Sequence, residues 1–210
     1  MKTLAIIGAG ELGMQIANFA LSDNHYSKVV FFDDYFKGDI LNGYKILGTI
    51  SDIQVRFIEN CFDEVIIGIG YNHLEFKKKL FLDLKKNKIP IGTIIHSSSW
   101  IDKTATINNG CVIYPRSIID AKSIIEENCI INLGCIISHD SVIKAHSFVS
   151  PGVTIAGFVQ IGEMCNLGIN ATVIDGLKIV SNTKIGGGCV VIKDIIKNGL
   201  YVGNPHRFVR

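Results

Sequence analysis

The 210-residue sequence has no apolar run approaching the ~18 residues that a membrane span requires. It also lacks a strong charge of either sign: 21 Lys and Arg stand against 19 Asp and Glu, a balance too even for a nucleic-acid surface. The lysines at Lys77 to Lys79, Lys85, Lys86 and Lys88 read as a solvated helix face rather than a basic patch. No Cys-x-x-Cys pair and no Cys/His spacing supports zinc, so no metal is expected. The first residues, MKTLAIIGAGELG, hold an apolar run too short for a signal peptide before they enter a glycine-rich turn. The expectation is a soluble cytoplasmic protein with neither a membrane nor nucleic acid among its partners.

What is present is a repeat. Every sixth residue from Ile101 to Val191 is Ile, Leu or Val, sixteen in an unbroken series. Even at an aliphatic content of one half, such a run in one of six phases has a chance probability on the order of 10⁻⁴. A six-residue period predicts a parallel β-helix in which each repeat is one strand and one corner. Five of the six cysteines (Cys111, Cys129, Cys135, Cys165 and Cys189) fall four residues after a repeat aliphatic, in a slot otherwise held mainly by Ala, Ser, Thr and Val. They are expected to be reduced, small apolar fillers. The outward positions beside the aliphatics run apolar at first (Val112, Ile118, Ile124, Ile130, Ile136, Val142, Phe148) and then polar (Thr154, Gln160, Asn166, Thr172, Lys178, Lys184). An apolar exterior on the first half predicts cover by neighbouring subunits or by the N-terminal domain.

Before the repeat, apolar strands alternate with helices: TLAIIGA, a helix from Glu11 to about Leu21, KVVFFDD, a helical turn near Ser51 to Ile58, DEVIIGIG, a helix from about Asn72 to Asn87, and IPIGTII. This pattern predicts a small, Rossmann-like parallel sheet over residues 1–96, with the β-helix over 97–210. The first strand meets its helix through Gly8-Ala9-Gly10-Glu11-Leu12-Gly13, a GxGxxG that lets a diphosphate approach the helix N-terminus. Asp33 closes the second strand where an acid can bind a ribose hydroxyl, and Gly68-Ile69-Gly70 with Asn72 makes a second turn facing the same crevice. The glycines alone leave three readings open: a purely structural turn, a nucleotide sugar, or NAD. The sheet is about half a full dinucleotide fold, and a dehydrogenase partner domain is missing.

Three hexads close one triangular coil, so residues eighteen apart stack at roughly 4.8 Å. The one His-acid pair in the coils is His139-Asp140, and eighteen residues after His139 comes Gly157. A base beneath a side-chain-free backbone, with an N–H within reach of a carbonyl oxygen, is what acyl transfer needs.

Taken together, IIGAGELG, FFDD at 31–34, GIGYN at 68–72, INLGCIISHD at 131–140, SPGVTIAG at 150–157 and the ending VGNPHRFVR resemble the nucleotide-sugar N-acyltransferases of the hexapeptide-repeat superfamily, the group that includes sialic acid O-acetyltransferases. The resemblance covers essentially the whole chain. The most similar members act on a 4-amino-4,6-dideoxy sugar attached to a nucleoside diphosphate. The resemblance implies a left-handed β-helix, a homotrimer with active sites between subunits, and acetyl-CoA as co-substrate lying along the outside of the coil. It implies that His139 is the general base and that Asp140 orients it, with the Gly157 N–H stabilising the oxyanion. Gly8, Gly10, Glu11 and Leu12 would hold the nucleotide sugar, Asp33 and Asp34 its nucleoside, with Gly70 and Asn72 nearby. Phe148, Ile169 and Gly187 match acetyl-CoA contacts, together with Gly157. Many members carry HVHISPG where this chain has His146-Ser147-Phe148, so one polar contact to the pantetheine arm is replaced. A sugar O-acetyltransferase and a non-catalytic nucleotide-sugar-binding scaffold are the competing readings. UDP, dTDP and GDP all stay open.

Overall fold

A computed structural model describes residues 2–210. Their contacts divide into two compact units, the first ending at Ile94 and the second beginning at Ile95.

The first unit is an α/β layer. Strand β1 (Thr3–Ile7) leads to α1 (Glu11–Ser22) and β2 (Lys28–Phe32), then β3 (Ile40–Leu41), β4 (Tyr44–Gly48), α2 (Ile53–Ile58), β5 (Glu64–Ile67) and α3 (Leu74–Lys86). The sheet order is β3-β4-β2-β1-β5, parallel throughout except for β3 against β4. Apolar strands such as TLAII belong inside a parallel sheet covered on both faces. One face buries Ala5, Ile7, Val30, Phe32, Val65 and Ile67 against Leu80, Phe81 and Leu84 of α3.

Two expectations need correction, and one element lies outside the expected pattern. The β3–β4 hairpin was not anticipated, although its signal is present: Asn42 and Gly43 take φ of 50° and 85°, the left-handed pair that a two-residue hairpin turn demands. IPIGTII does not join the sheet as a strand; Ile91 makes an isolated bridge to Val65, and Pro90 has no N–H with which to continue a ladder. Lys77 does not lie on a solvated face. It is 1% exposed, because its position three residues from both Leu74 and Leu80 places it on the apolar side of α3.

In the second unit each hexad contributes a two-residue strand, and the partners lie eighteen residues apart: Ile118 with Ile136, Ile119 with Ile137, Ile124 with Val142, Ile130 with Phe148. Three parallel sheets result, and the C-terminal strands Leu200–Val202 and Arg207–Phe208 extend one of them. The inward aliphatics from Ile113 to Val191 form one continuous core. Burying each such side chain contributes about 1.5–3 kcal/mol.

The small slot does more than fill space. Ser117, Ser123, Ser141 and Ser147 donate their hydroxyls to the carbonyls of Asn132, Ser138, Ala156 and Gly162, fifteen residues on, at 2.8–3.1 Å. Cys111, Cys129, Cys135 and Cys165 point their thiols at the carbonyls of Glu126, Lys144, Ser150 and Val180 in the same relation. Serine and cysteine thus share the slot because both place a donor beneath the corner of the next coil. Burial pushes the Cys135 and Cys165 thiols up to about 11, so they stay protonated and unreactive. All six cysteines are free.

The corners impose a second rule. Every sixth residue from Gly110 to Gly188 has φ between 56° and 79°, fourteen positions in all. Nine of them are Gly, Asn or Asp, the types that accept this conformation at least cost; Arg116, Lys122, His146, Phe158 and Met164 are the others. Of the outward column positions, Val112, Ile130 and Phe148 are buried, whereas Trp100, Ile118, Ile124 and Ile136 are exposed.

Replacing one slot donor tests the ladder. Ser123→Ala leaves the Ser138 carbonyl without its inward donor and is expected to lower stability by about 1–2 kcal/mol, read from the urea midpoint. An unchanged midpoint would show that the hydroxyl contributes only its volume.

Candidate active site

His139 and Asp140 form the corner after the strand Ile136–Ile137. Asp140 takes φ 57°, one of the left-handed corner positions, and its Oδ2 lies 3.1 Å from His139 Nδ1. That contact points Nε2 away from the carboxylate. The His139 carbonyl accepts the Phe158 N–H at 3.1 Å, tying this corner to the one above it. Gly157 is pressed against the imidazole: a Cβ there would sit 2.6 Å from Cε1 and 2.8 Å from Nε2. No other residue type fits without displacing the ring. The Gly157 carbonyl accepts the Gly176 N–H at 2.9 Å, while the Gly157 N–H has no acceptor among the described residues. The site therefore unites a half-exposed imidazole, a carboxylate on its far nitrogen, and a backbone donor at its face.

The other expected residues of the β-helix are distributed differently. Ile169 and Gly187 are neighbours, since the Gly188 N–H reaches the Ile169 carbonyl at 2.8 Å and a Cβ on Gly187 would lie 3.3 Å from that oxygen. Ile169 is exposed. Their column sits twelve residues out of phase with His139 and Gly157, which in an eighteen-residue coil is another corner of the triangle, six residues and so at most about 20 Å away at extended-chain spacing. Phe148 belongs to neither corner. It pairs in register with Ile130 and Asn166 and is only 5% exposed. His146 is buried, with Nδ1 2.9 Å from the Asn128 amide nitrogen and Nε2 3.8 Å from Glu163.

In the first unit the two glycine turns serve backbone packing. A Cβ on Gly13 would fall 2.0 Å from the Gly8 carbonyl oxygen, and one on Gly68 would fall 2.9 Å from the Gly13 Cα. Helix α1 thus starts in contact with the ends of β1 and β5. Gly10 differs: it is the N-cap of α1, carries no side-chain cap, and has open space where its Cβ would be. The unpaired N–H groups of that first turn favour an anion.

Beside them lies a cleft of about 350 Å³ lined by Gly8, Asp33, Asp34, Tyr35, Ile50, Gly68, Gly70, His73 and Phe76. Four expected residues, Gly8, Asp33, Asp34 and Gly70, line it; Gly10, Glu11, Leu12 and Asn72 do not. Glu11 and Leu12 lie in the first turn of α1, and Asn72 lies in the short turn Tyr71–His73 before α3. Tyr35, Ile50, His73 and Phe76 were not anticipated. The one hint was Tyr35, an aromatic just beyond the end of β2; His73 and Phe76 flank the start of α3.

Asp33 is already engaged by the protein. Its carboxylate accepts the Ala9 N–H at 2.8 Å, the Tyr35 N–H at 2.8 Å and the Phe36 N–H at 3.0 Å. Partial burial pushes its pKa up, but the three donors together outweigh this and hold the carboxyl below the usual range. Asp34 accepts the Ile50 N–H at 2.8 Å. Both acids brace the loops that frame the cleft. No group of three His, Cys, Asp or Glu among the described residues could hold a metal, and no helix among them is long and apolar enough to cross a membrane.

Comparison with known proteins accords with this arrangement. Residues 3–84 match the family model of the PglD N-terminal domain. The acetyltransferase domain of PglB from Neisseria gonorrhoeae is similar over 100% of both chains, at 25% identity and a TM-score of 0.88. PerB from Caulobacter crescentus, solved with CoA and GDP-perosamine, is similar over 99% of this chain and 97% of its own, at 25% identity and a TM-score of 0.89. A variant of GDP-perosamine N-acetyltransferase from the same organism, with one histidine replaced by alanine and both CoA and GDP-perosamine bound, reaches a TM-score of 0.90 at 25% identity, over 99% of this chain and 96% of its own. The fold is thus the left-handed parallel β-helix of hexapeptide-repeat acetyltransferases, preceded by a PglD-type domain.

The brace on Asp33 has a pH signature. A carboxyl whose pKa is depressed by folding stabilises the native state above its unfolded pKa of about 3.9, and that contribution vanishes as pH falls through the folded value. Asp33→Asn should therefore melt below wild type at pH 7, and the gap should narrow as the pH is lowered from about 4 towards 2. A gap independent of pH would remove the ionised carboxylate from the account.

Proposed function

We propose that the protein is an acetyl-CoA-dependent nucleotide-sugar N-acetyltransferase, with His139 as general base on the 4-amino group of a nucleotide-linked 4-amino-4,6-dideoxy sugar. The observation that carries this reading is the His139 imidazole lodged against Gly157, with Nδ1 held by Asp140 and the Gly157 N–H left as a donor. The likeness to PerB and to the PglB acetyltransferase domain supports the reaction class and both substrates.

The chemistry follows from the geometry. The neutral amine attacks the thioester carbonyl, and its proton passes to His139 Nε2 as the C–N bond forms. Asp140 keeps the other nitrogen protonated, so that Nε2 is the basic one. The carbonyl oxygen gains negative charge, which the Gly157 N–H stabilises. Collapse breaks the C–S bond; CoA leaves as a thiolate, takes the proton from the imidazolium, and the products are the acetamido sugar and free CoA. In the first unit, the uncapped turn at Gly10 suits a diphosphate, and the cleft bounded by Asp34, Tyr35, His73 and Phe76 suits its nucleoside.

Ile169 and Gly187 occupy a different corner from His139. In a trimer, acetyl-CoA would lie between subunits, with the corner bearing Ile169 and Gly187 in one subunit facing His139 of the next. The exposed outward residues Trp100, Ile118 and Ile136 supply an apolar surface for such packing. We place the enzyme in the cytoplasm, where acetyl-CoA and sugar nucleotides are available.

Thiol release from acetyl-CoA, assayed over UDP-, dTDP- and GDP-linked 4-amino sugars, is expected to show turnover with one of them. Turnover only with hydroxyl acceptors would mean an O-acetyltransferase, and none with any acceptor a binding scaffold. His139→Ala should lower kcat by about 10²–10⁴-fold with little change in sugar-nucleotide affinity. Gly157→Ala, which drives the imidazole from its seat, should cost about 10²-fold in kcat while the protein stays folded. A His139→Ala enzyme within about threefold of wild type would dismiss the general-base assignment.

A further inference from the structure

We propose that Phe158 is a positioning residue of the transfer site, holding the His139 imidazole in one orientation against Gly157; this rests on the reading of His139 as the base. The two rings meet edge to face, with centroids 5.1 Å apart and planes at 86°. The Phe158 N–H also donates to the His139 carbonyl at 3.1 Å, so the aromatic ring is anchored to the backbone of the residue whose side chain it touches. Without Phe158, the imidazole would be restrained on its open side only by a 3.1 Å contact to a partly exposed carboxylate.

Within the chain, the environment of Phe158 argues against a packing role. It occupies a left-handed corner at φ 61°, a conformation that bulky residues adopt at a cost. Four other corner residues that are neither Gly, Asn nor Asp do the same, but His146 and Met164 are buried there, and Arg116 and Lys122 carry charged ends. Phe158 is the one large apolar side chain in this slot left in the open, 60% exposed among the described residues. The ring therefore stabilises neither the core nor the corner. What it does contact is His139. Gly176, stacked next in the column with nothing near its missing Cβ, leaves the far side of the ring clear.

Three variants test the clamp. Asn suits the left-handed corner, so Phe158→Asn should melt at or above the wild-type temperature. Its kcat should nevertheless fall about tenfold, because a base that wanders from its productive geometry loses rate without losing substrate. The KM values for acetyl-CoA and sugar nucleotide should stay within about twofold of wild type. Phe158→Leu should lose rate likewise, and Phe158→Tyr, which keeps the ring, should restore kcat. By NMR, the Hδ2 and Hε1 resonances of His139 should carry a ring-current displacement that vanishes in Phe158→Asn and persists in Phe158→Tyr. Unmoved resonances, or a Phe158→Asn kcat within about twofold of wild type, would overturn the proposal. The NMR comparison needs no acceptor. Failure of the acetyltransfer reading would show as no turnover by wild type, whereas failure of the clamp would show as wild-type turnover with either no displacement or a Phe158→Asn kcat that does not fall.

Discussion

The structure of the second unit rests on the hydrogen-bonded stacking of residues eighteen apart. Each coil repeats the one below it, so a residue's environment is set by its neighbours one turn away in both directions. A strand of two residues could not stand alone; it exists because its ladder continues through a sheet of five, six or eight strands. The slot donors reinforce the ladder by bonding fifteen residues ahead, beneath the corner of the next coil. Because the lattice is rigid, a side chain at one corner meets a defined side chain at the next. This is how His139 comes to face Gly157 with a clearance that excludes a methyl group.

The first unit obeys a different constraint, the close approach of backbone at Gly8, Gly13 and Gly68. Once the helix start is packed onto the strand ends, the loops beyond them must be tied in place. Asp33 does this for the first loop by accepting three backbone N–H groups, and Asp34 for the turn before α2. Acids at a strand terminus are easily taken for ligand contacts. Here the protein's own amides occupy part of their capacity, and both carboxylates still line the cleft beside Tyr35.

Catalytic proposals in such a protein depend on corners, the places where the coil is least favourable for ordinary residues. Every corner requires a left-handed conformation, and most are occupied by Gly, Asn or Asp. Where the chain departs from that habit beside His139, an exposed phenylalanine stands against the imidazole. The same geometry separates His139 from the Ile169–Gly187 corner.

The repeat could be read from spacing alone. The period determined the coil, the inward aliphatics, the stacking partners and the juxtaposition of His139 with Gly157, because in a solenoid distance along the chain converts directly to position in space. The Asn42-Gly43 turn and the corner rule were equally present in the sequence. Other features had no such conversion. That Asp33 accepts the N–H groups of Ala9, Tyr35 and Phe36, that Lys77 is buried, that Val112, Ile130 and Phe148 are covered while Ile118 and Ile136 are not, and that Phe158 reaches His139 edge-on all depend on side-chain directions and on contacts between segments with no fixed spacing. Only the tertiary structure decides these, because a periodic pattern specifies backbone register but not which donors, rings and loops converge once the backbone is in place.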